Sequence, residues 1–531
     1  MKTLMLLSLA LLIHNAAPLQ LEAITWSPPV TLTFSPPVLN SRAGVNRSGN
    51  YIIAWLDTPS NNYLTSIYIE GSSSWSTPIV LVSATNVPSV PSVAINASGY
   101  AVASWIQVGA GPTETIESAN LVGNSWVSLG TVGSPTSHHF KHISIDVDPS
   151  GNILATYLLD NGNTTNTLFA ATHTLSGWSA LHVLFTSNLN TFINPGSVPT
   201  LLDNNGNGII NWATEDTFNT NTSIYASTYI KSSGTYTPFT SLFSAPGGTP
   251  RLGTSMSGSG NAALTWTISS NDIYASVFTP SSGWSTVTLL GSQANTSDFF
   301  ASINDSADGE VVNDALNTLI RVSSYSNGSW STLLLSPDGA GFSVSHPVIA
   351  IDSTGNAVLV WAVTNLTDNT STIQYSTRNG LQGIWAPPSQ LVSSPPNMMI
   401  LPAFIVITPS EEAVLLTATI DPSSDLGSNV EVFVGSDLLA PQSPENFQGK
   451  TRKNRFPTQT DLIHHLSWSA SPSTGVTSYK LYRNGELIAE IPADAPLEYN
   501  DHNRHPHEVD VYTLTAIRDG SASTPASFTF P

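Results

Sequence analysis

The sequence predicts an all-β protein: a β-propeller of eight blades, or seven, closed by an N-terminal strand and followed by a small β-sandwich. Three observations carry this. A strand–turn–strand pattern ending in an aromatic residue recurs roughly every 50 residues, a period typical of solenoids and propellers. Each recurrence is followed by two more strand-like runs, giving four strands per unit, the make-up of a propeller blade. One fourth strand also stands alone at the start of the chain, while the last unit lacks its own.

The clearest copy of the pattern runs from Ile351 to Trp361. Asp352 opens a turn in which its carboxylate can accept a backbone N–H two residues on, and Gly355 accepts the left-handed conformation without a steric penalty. Other copies open at Asn46, Asn96, Asp148, Asp203 and Ser257 and lead to Trp55, Trp105, Tyr157, Trp212 and Trp266. The sixth copy reads as degenerate, with two extra turn residues between Asn304 and Gly309 and Ala315 at the aromatic position. The eighth, opening at Thr408, is the weakest and ends at Thr417. If the sixth or eighth unit is not a blade, seven remain.

The strand after each turn is apolar on both faces, as in Ala357-Val358-Leu359-Val360-Trp361. Such a strand is covered on both sides. The recurrent Trp residues are therefore expected to fill the gaps between blades rather than to bind ligand. The lone strand at Trp26 to Phe34 matches the fourth strands that begin at Trp75, Trp126, Trp178, Trp284, Trp330 and Trp385. Pairing it with Val430 to Val434 would complete the last blade, join the chain ends and remove open sheet edges.

Composition sets the remaining bounds. Of 531 residues only 10% are charged, while 40% are apolar, so Ser, Thr and Asn must supply the polar surface. Met1-Lys2, an apolar run from Leu4 to Ile13, and Ala16, Ala17 and Ala23 read as a secretory signal peptide over residues 1–23. The expected mature protein is secreted or attached to the cell surface, or periplasmic. The absence of cysteine in an exported chain suits a bacterial source. The net charge of −20 excludes nucleic acid and anionic membrane as partners, because phosphate binding needs a basic footprint.

Near residue 440 the texture changes, and half of the 16 Lys and Arg lie beyond it. Leu466-Ser467-Trp468, Tyr479-Lys480-Leu481-Tyr482-Arg483-Asn484-Gly485 and Tyr512-Thr513-Leu514-Thr515-Ala516 sit at intervals where a fibronectin type III domain has its core tryptophan, its third strand and its corner tyrosine. The tail over residues 440–531 resembles that family, which implies a seven-strand sandwich. It departs from the family in a polar insertion over 450–460 and a His-rich stretch over 501–507. His464, His465, His502, His505 and His507 are expected at the surface. With 1–23 as signal peptide, residues 24–439 make the propeller.

The ligand surface is expected where the second and third strands of each unit are joined. These loops are rich in Asp and Asn and free of Lys and Arg. Asp57, Asp160, Glu215, Asp216, Asp272 and Asp368 are the candidate ligand residues, able to bind a cation, or a polyol through carboxylate hydrogen bonds. Turn chemistry alone also selects Asp and Asn, so plain solvated turns are the bland alternative. No cofactor is implied. Calcium is conceivable at Asp203-Asn204-Asn205 or Asp305-Ser306, although neither has the alternating ligands of a loop that wraps the ion. The paired histidines His138 and His139 point to opposite faces of a strand and cannot easily share a metal.

The fourth-strand turns, such as Ser176-Gly177-Trp178, are similar to those of sialidases but lack the Asp of that family's box. A sialidase-like hydrolase would draw its arginines from Arg42, Arg47, Arg251, Arg321 or Arg378. The expected function is non-enzymatic binding of a glycan or protein ligand, with a sialidase-like glycan hydrolase or a purely architectural surface protein as alternatives.

Overall fold

The computed structural model describes residues 24–530 apart from 39–40, 110–112, 133–138, 163–164, 195–197, 217, 219–220, 249, 269–271, 293, 316–317, 336–341, 368–369, 382, 396, 425, 437–440, 442, 456–459, 472–475, 506–508, 519–520 and 524. The signal-peptide expectation, Asp368, His138, His507 and most of the expected linker lie outside the described residues. Among the described residues no helix is long and apolar enough to cross a membrane.

The fold is all-β, and every strand pairing is antiparallel. Eight sheets follow one another, and their arrangement is β-propeller-like. The first sheet holds Ser41–Val45, Tyr51–Asp57, Asn62–Tyr68 and Ile79–Ser83 in chain order. The seventh repeats this with Phe342–Ile351, Ala357–Asn365, Ser371–Arg378 and Ser389–Ser393. The eighth differs. Met399–Ile407, Ala413–Asp421 and Leu426–Ser436 supply its first three strands, and the chain's own start supplies the fourth. Val30 lies opposite Val432 and Leu32 opposite Val430, while Trp26 lies opposite Gly435.

One turn geometry joins the first two strands of all eight sheets. The first turn residue donates its N–H to the carbonyl of the fifth at 2.7–3.2 Å, and the fourth residue donates back to the first. The first side chain accepts from the backbone as well. Asp352 Oδ1 receives Thr354 N at 2.8 Å and Asn356 N at 2.9 Å. The fourth residue has positive φ, from 63° at Glu411 to 90° at Gly260.

This corrects the reading of the sixth turn. Asn304 N bonds the Asp308 carbonyl and Ala307 has φ 64°, so the turn has the standard length and Ala307 takes the glycine's place. Gly309 is the first residue of the next strand, and Asn313, not Ala315, stands where other units have Trp. Both degenerate units form sheets.

Burial explains why the second strands are apolar throughout. Ala357 to Val363 are all buried, and Trp212, Trp266 and Trp361 are at most 1% exposed. Each sheet shares an apolar cluster with the next along the chain. The eighth shares one with the seventh, through Ile373, Ile405 and Phe433. It shares another with the first, through Leu32, Phe34, Tyr51 and Trp55.

Beyond residue 444 two sheets pack over one core. Glu445–Arg455, Thr460–Ser469 and Glu498–Asp501 form one sheet. Glu486–Pro492, Ser478–Arg483, Asp510–Arg518 and Ala526–Phe530 form the other, with the short Ser521–Ala522. Leu466, Trp468, Tyr479, Leu481, Tyr512 and Leu514 meet between them.

Two expectations change here. Much of the polar insertion is strand: Lys450 to Arg455 pair in register with His465 to Thr460, lengthening a hairpin. His464 and His465 are buried, not at the surface. The His464 ring stacks on Phe530 at 3.8 Å between centroids and 6° between planes, which a flat aromatic heterocycle does as well as a phenyl ring. His502 and His505 are exposed. Arg518 of this part lies 2.7 Å from Glu411 of the eighth turn.

Candidate functional site

The loop carboxylates are held within their own sheets. Asp57 accepts Ser60 N at 3.2 Å and the Ser60 hydroxyl. Asp160 accepts Gly162 N at 3.0 Å and lies 2.6 Å from Lys141, which holds its carboxyl below the usual range. Asp216 accepts the Asn221 amide at 3.1 Å, and Asp272 the Tyr274 hydroxyl at 3.4 Å. Glu215 is only 3% exposed and accepts from Asn194, so it faces the interior rather than a ligand surface. Glu114, from the same loops, is also buried. It accepts Phe140 N at 2.7 Å and lies 2.8 Å from His139 Nδ1, tying the second sheet to the third. Among the described residues no group of three His, Asp or Glu could hold a metal ion.

Two of the sialidase-like arginines are engaged away from the first strands. Arg378 is buried between the sixth and seventh sheets, 2.7 Å from Glu310, and lies over the Trp385 ring. Arg321 donates to the Ser292 carbonyl at 3.0 Å. Arg42 and Arg251 sit on the first strands of the first and fifth sheets, as expected.

First strands of non-neighbouring sheets approach one another. Phe300 of the sixth sheet meets Phe404 of the eighth, ring centroids 6.2 Å apart. On the side of the repeated turns, Arg47 of the first turn reaches the fifth. A Cβ built on Gly258, in the fifth turn, would lie 3.0 Å from its Nη1. Burial lowers the Arg47 pKa, and the charges of Asp305, Asp146 and Asp203 oppose that. Asp146 is itself pushed up to about 6 by burial, against hydrogen bonds from Leu202 N and Val147 N.

Sequence reasoning missed a groove between the turns of the second and third sheets. It has a volume of about 250 Å³ and is lined by Asn96, Ser98, Tyr100, Asn152, His173 and Leu175, among others. Its floor is rigid. Asn96 Oδ1 holds Ser98 N and Tyr100 N, both at 3.0 Å, and its amide reaches the Asp148 carbonyl at 3.0 Å. Asn152 N and Nδ2 bond Asp148 at 2.8 and 2.7 Å. Burial lowers the His173 pKa, so at neutral pH its imidazole is uncharged, with its edge against Trp178 at 5.1 Å. The Tyr100 hydroxyl, the His173 ring nitrogens and Asn152 Oδ1 have no hydrogen-bond partner among the described residues. The available signal was Tyr100, the one aromatic at the fifth turn position.

The chain matches no protein-family profile and no curated protein. Among solved structures it is similar to the WD40 domain of SCAP from fission yeast, at 10% identity and TM-score 0.41, over 78% of this chain and 98% of that one. It is also similar to the polysaccharide lyase Uly1, at 10% identity and TM-score 0.39, over 70% and 94%. A third likeness is to a Penicillium chrysogenum alpha-L-arabinanase complexed with arabinobiose, at 11% and 0.36, over 59% and 98%. At these scores none of them assigns an activity.

Proposed function

We propose that residues 24–439 form a closed eight-bladed propeller, that 440–531 form a fibronectin type III-like domain, and that the exported protein binds a glycan at or outside the cell surface without transforming it. The observation that carries the binding role is the groove at Tyr100. It offers an aromatic ring, a neutral imidazole and an amide oxygen on a floor where hydrogen bonds join Asn96, Ser98, Tyr100, Asp148 and Asn152 of two sheets. Such a set suits the hydroxyls and C–H faces of a sugar. The loop carboxylates Asp57, Asp160, Asp216 and Asp272 shape their own turns in this reading, and Glu215 supports the interior.

The shared clusters between the eighth sheet and both its neighbours support the closed ring. The two packed sheets with Trp468 and Tyr512 inside support the tail domain. Of the five arginines a sialidase-like site could draw on, Arg321 and Arg378 are engaged elsewhere, while Arg47 lies among Asp146, Asp203 and Asp305.

A glycan array probed with the mature protein and with Tyr100→Ala and His173→Ala variants tests this. Binding to a defined set of glycans, lost or weakened at least tenfold in both variants, is expected. Unchanged binding in both, or no glycan bound at all, would overturn the assignment.

A further inference from the structure

The tail carries a concentration of positive charge in a chain whose net charge is −20. Four of the 16 Lys and Arg fall between Lys450 and Arg455, and no Asp or Glu occurs from Asn446 to Thr460. These four, Lys450, Arg452, Lys453 and Arg455, lie on the strand Glu445–Arg455, and all are exposed. None of them makes a salt bridge or a side-chain hydrogen bond among the described residues. The acids nearby have partners of their own. Asp461 lies 2.7 Å from His502 and accepts Asn503 N at 2.8 Å. Asp501 lies 2.8 Å from Arg483 and accepts the Tyr512 hydroxyl at 2.6 Å.

Two contacts fix where this stretch lies. Phe447 packs against Phe528, ring centroids 6.5 Å apart, and a Cβ on Gly449 would run into the Phe530 ring. Glu445–Arg455 therefore runs beside Ala526–Phe530 in the same direction, and Lys450 to Arg455 continue past Phe530. Phe530 lies opposite Asp510, and the strand that starts there ends at Arg518, the residue that meets Glu411 of the eighth turn. At about 3.4 Å per residue that strand spans roughly 27 Å. The basic stretch thus begins at the end of the tail away from this contact and runs on from it. With a Debye length of about 8 Å at physiological salt, the acids around the eighth turn are screened from it.

We propose that Lys450 to Arg455 form a binding surface for an acidic polysaccharide, a chain of sugars carrying carboxylate or sulfate groups. Successive side chains of a strand point to opposite faces, so Lys450 and Arg452 share one face and Lys453 and Arg455 the other. A polymer with anions at intervals can meet several of them along the strand. The two guanidinium groups supply paired donors that match a carboxylate or sulfate, and the lysines supply charge. The strand is the edge of its sheet, which a peptide could in principle extend. Peptides added in that way are selected by pockets for alternate side chains, and no apolar residue stands between Gln448 and Arg455 to build one. Nucleic acid, with its denser charge, calls for a broader basic footprint than one strand. This surface is separate from the groove at Tyr100 and stands or falls independently of it.

Calorimetry on the full mature chain tests the proposal with polygalacturonate, dextran sulfate, uncharged dextran and poly-glutamate as probes. Wild type is expected to bind polygalacturonate or dextran sulfate, more weakly as salt is raised, and not to bind dextran. Whichever acidic polymer binds more tightly names the anion. The variant Lys450→Gln/Arg452→Gln/Lys453→Gln/Arg455→Gln should weaken that binding by roughly tenfold or more, since it removes every charge-assisted contact. Its four side chains are exposed, so its thermal midpoint should stay near that of wild type. Lys450→Arg/Lys453→Arg keeps the charge and should keep the binding, and Tyr100→Ala should leave it unchanged. Failure to bind either acidic polymer would overturn the proposal, as would poly-glutamate bound as tightly as they are. Wild-type binding by the fourfold variant would overturn it too, leaving the cations as guards of an open sheet edge.

Discussion

Trp75 donates its indole N–H to the carbonyl of Val30 at 3.1 Å. Trp75 leads into the fourth strand of the first sheet, Ile79–Ser83, and Val30 belongs to the strand that completes the eighth. The same reach to the preceding sheet is made by Trp126 to Thr65 at 3.0 Å and by Trp178 to Ser118 at 2.9 Å. The contact between the first and eighth sheets is thus one of a series. Replacing Trp75 by Phe should cost about 1 kcal/mol through the lost hydrogen bond, and by Ala about 3–5 kcal/mol through the cavity as well. Urea unfolding of the two variants measures both.

Arg378 and Glu310 join the sixth sheet to the seventh through a buried pair, with side chains 3% and 0% exposed. Ser324 and the Gly355 carbonyl complete the network. Arg378→Met leaves the Glu310 carboxylate buried and unpaired, which should cost about 3–5 kcal/mol. The double variant Arg378→Met/Glu310→Leu should recover most of that loss. Equal destabilisation in single and double variants would show that packing, not charge, matters there.

Two acids make stability depend on pH in an unusual direction. Burial raises Asp146 to about 6, and burial with a hydrogen bond to Glu70 raises Glu412. Between the unfolded value near 4 and the folded one, the native state holds more protons than the unfolded state. Their contribution therefore rises as pH falls from about 7 to about 5, against that of His142, whose pKa, pushed down to about 4 by burial, removes stability over the same range. Below about 4 stability should fall, as carboxylates with lowered values, such as Asp160, take up protons. Asp146→Asn removes the first contribution, so its thermal midpoint is expected to fall relative to that of wild type as pH is lowered from about 7 to about 5.

Ala307 holds a φ of 64° where most units have glycine. A side chain in that region costs about 1 kcal/mol. Ala307→Gly should stabilise the protein by up to that amount, less the greater freedom it gives the unfolded chain. A lowered thermal midpoint would mean that the Ala307 methyl makes contacts that outweigh the strain.

The repeat was legible because turn chemistry and burial on both strand faces leave marks at fixed positions. Asp352, Gly355 and Trp361 each answer to one physical demand. The sixth turn was misread because Ala307 meets the demand for positive φ without being glycine, so Gly309 was mistaken for it. The buried His464 escaped notice because an imidazole stacked in a core looks, in sequence, like any polar residue. The loop carboxylates could not be sorted from sequence, since Asp216 and its neighbour Glu215 differ only in which way each side chain points. The groove depends on two turns 52 residues apart meeting through Asn96 and Asp148, and no local pattern announces that.

The account rests on the N-terminal strand lying beside Leu426–Ser436, where Thr31 faces Glu431. The protein has no cysteine, so Thr31→Cys/Glu431→Cys introduces the only two thiols. A short bifunctional thiol reagent applied to the folded protein, followed by mass spectrometry of peptides, tests that pairing. A linked peptide joining 31 to 431, absent when the second cysteine is moved to 377 on the seventh sheet, is the expected result. Equal linkage at both positions, or none at 431, would contradict it.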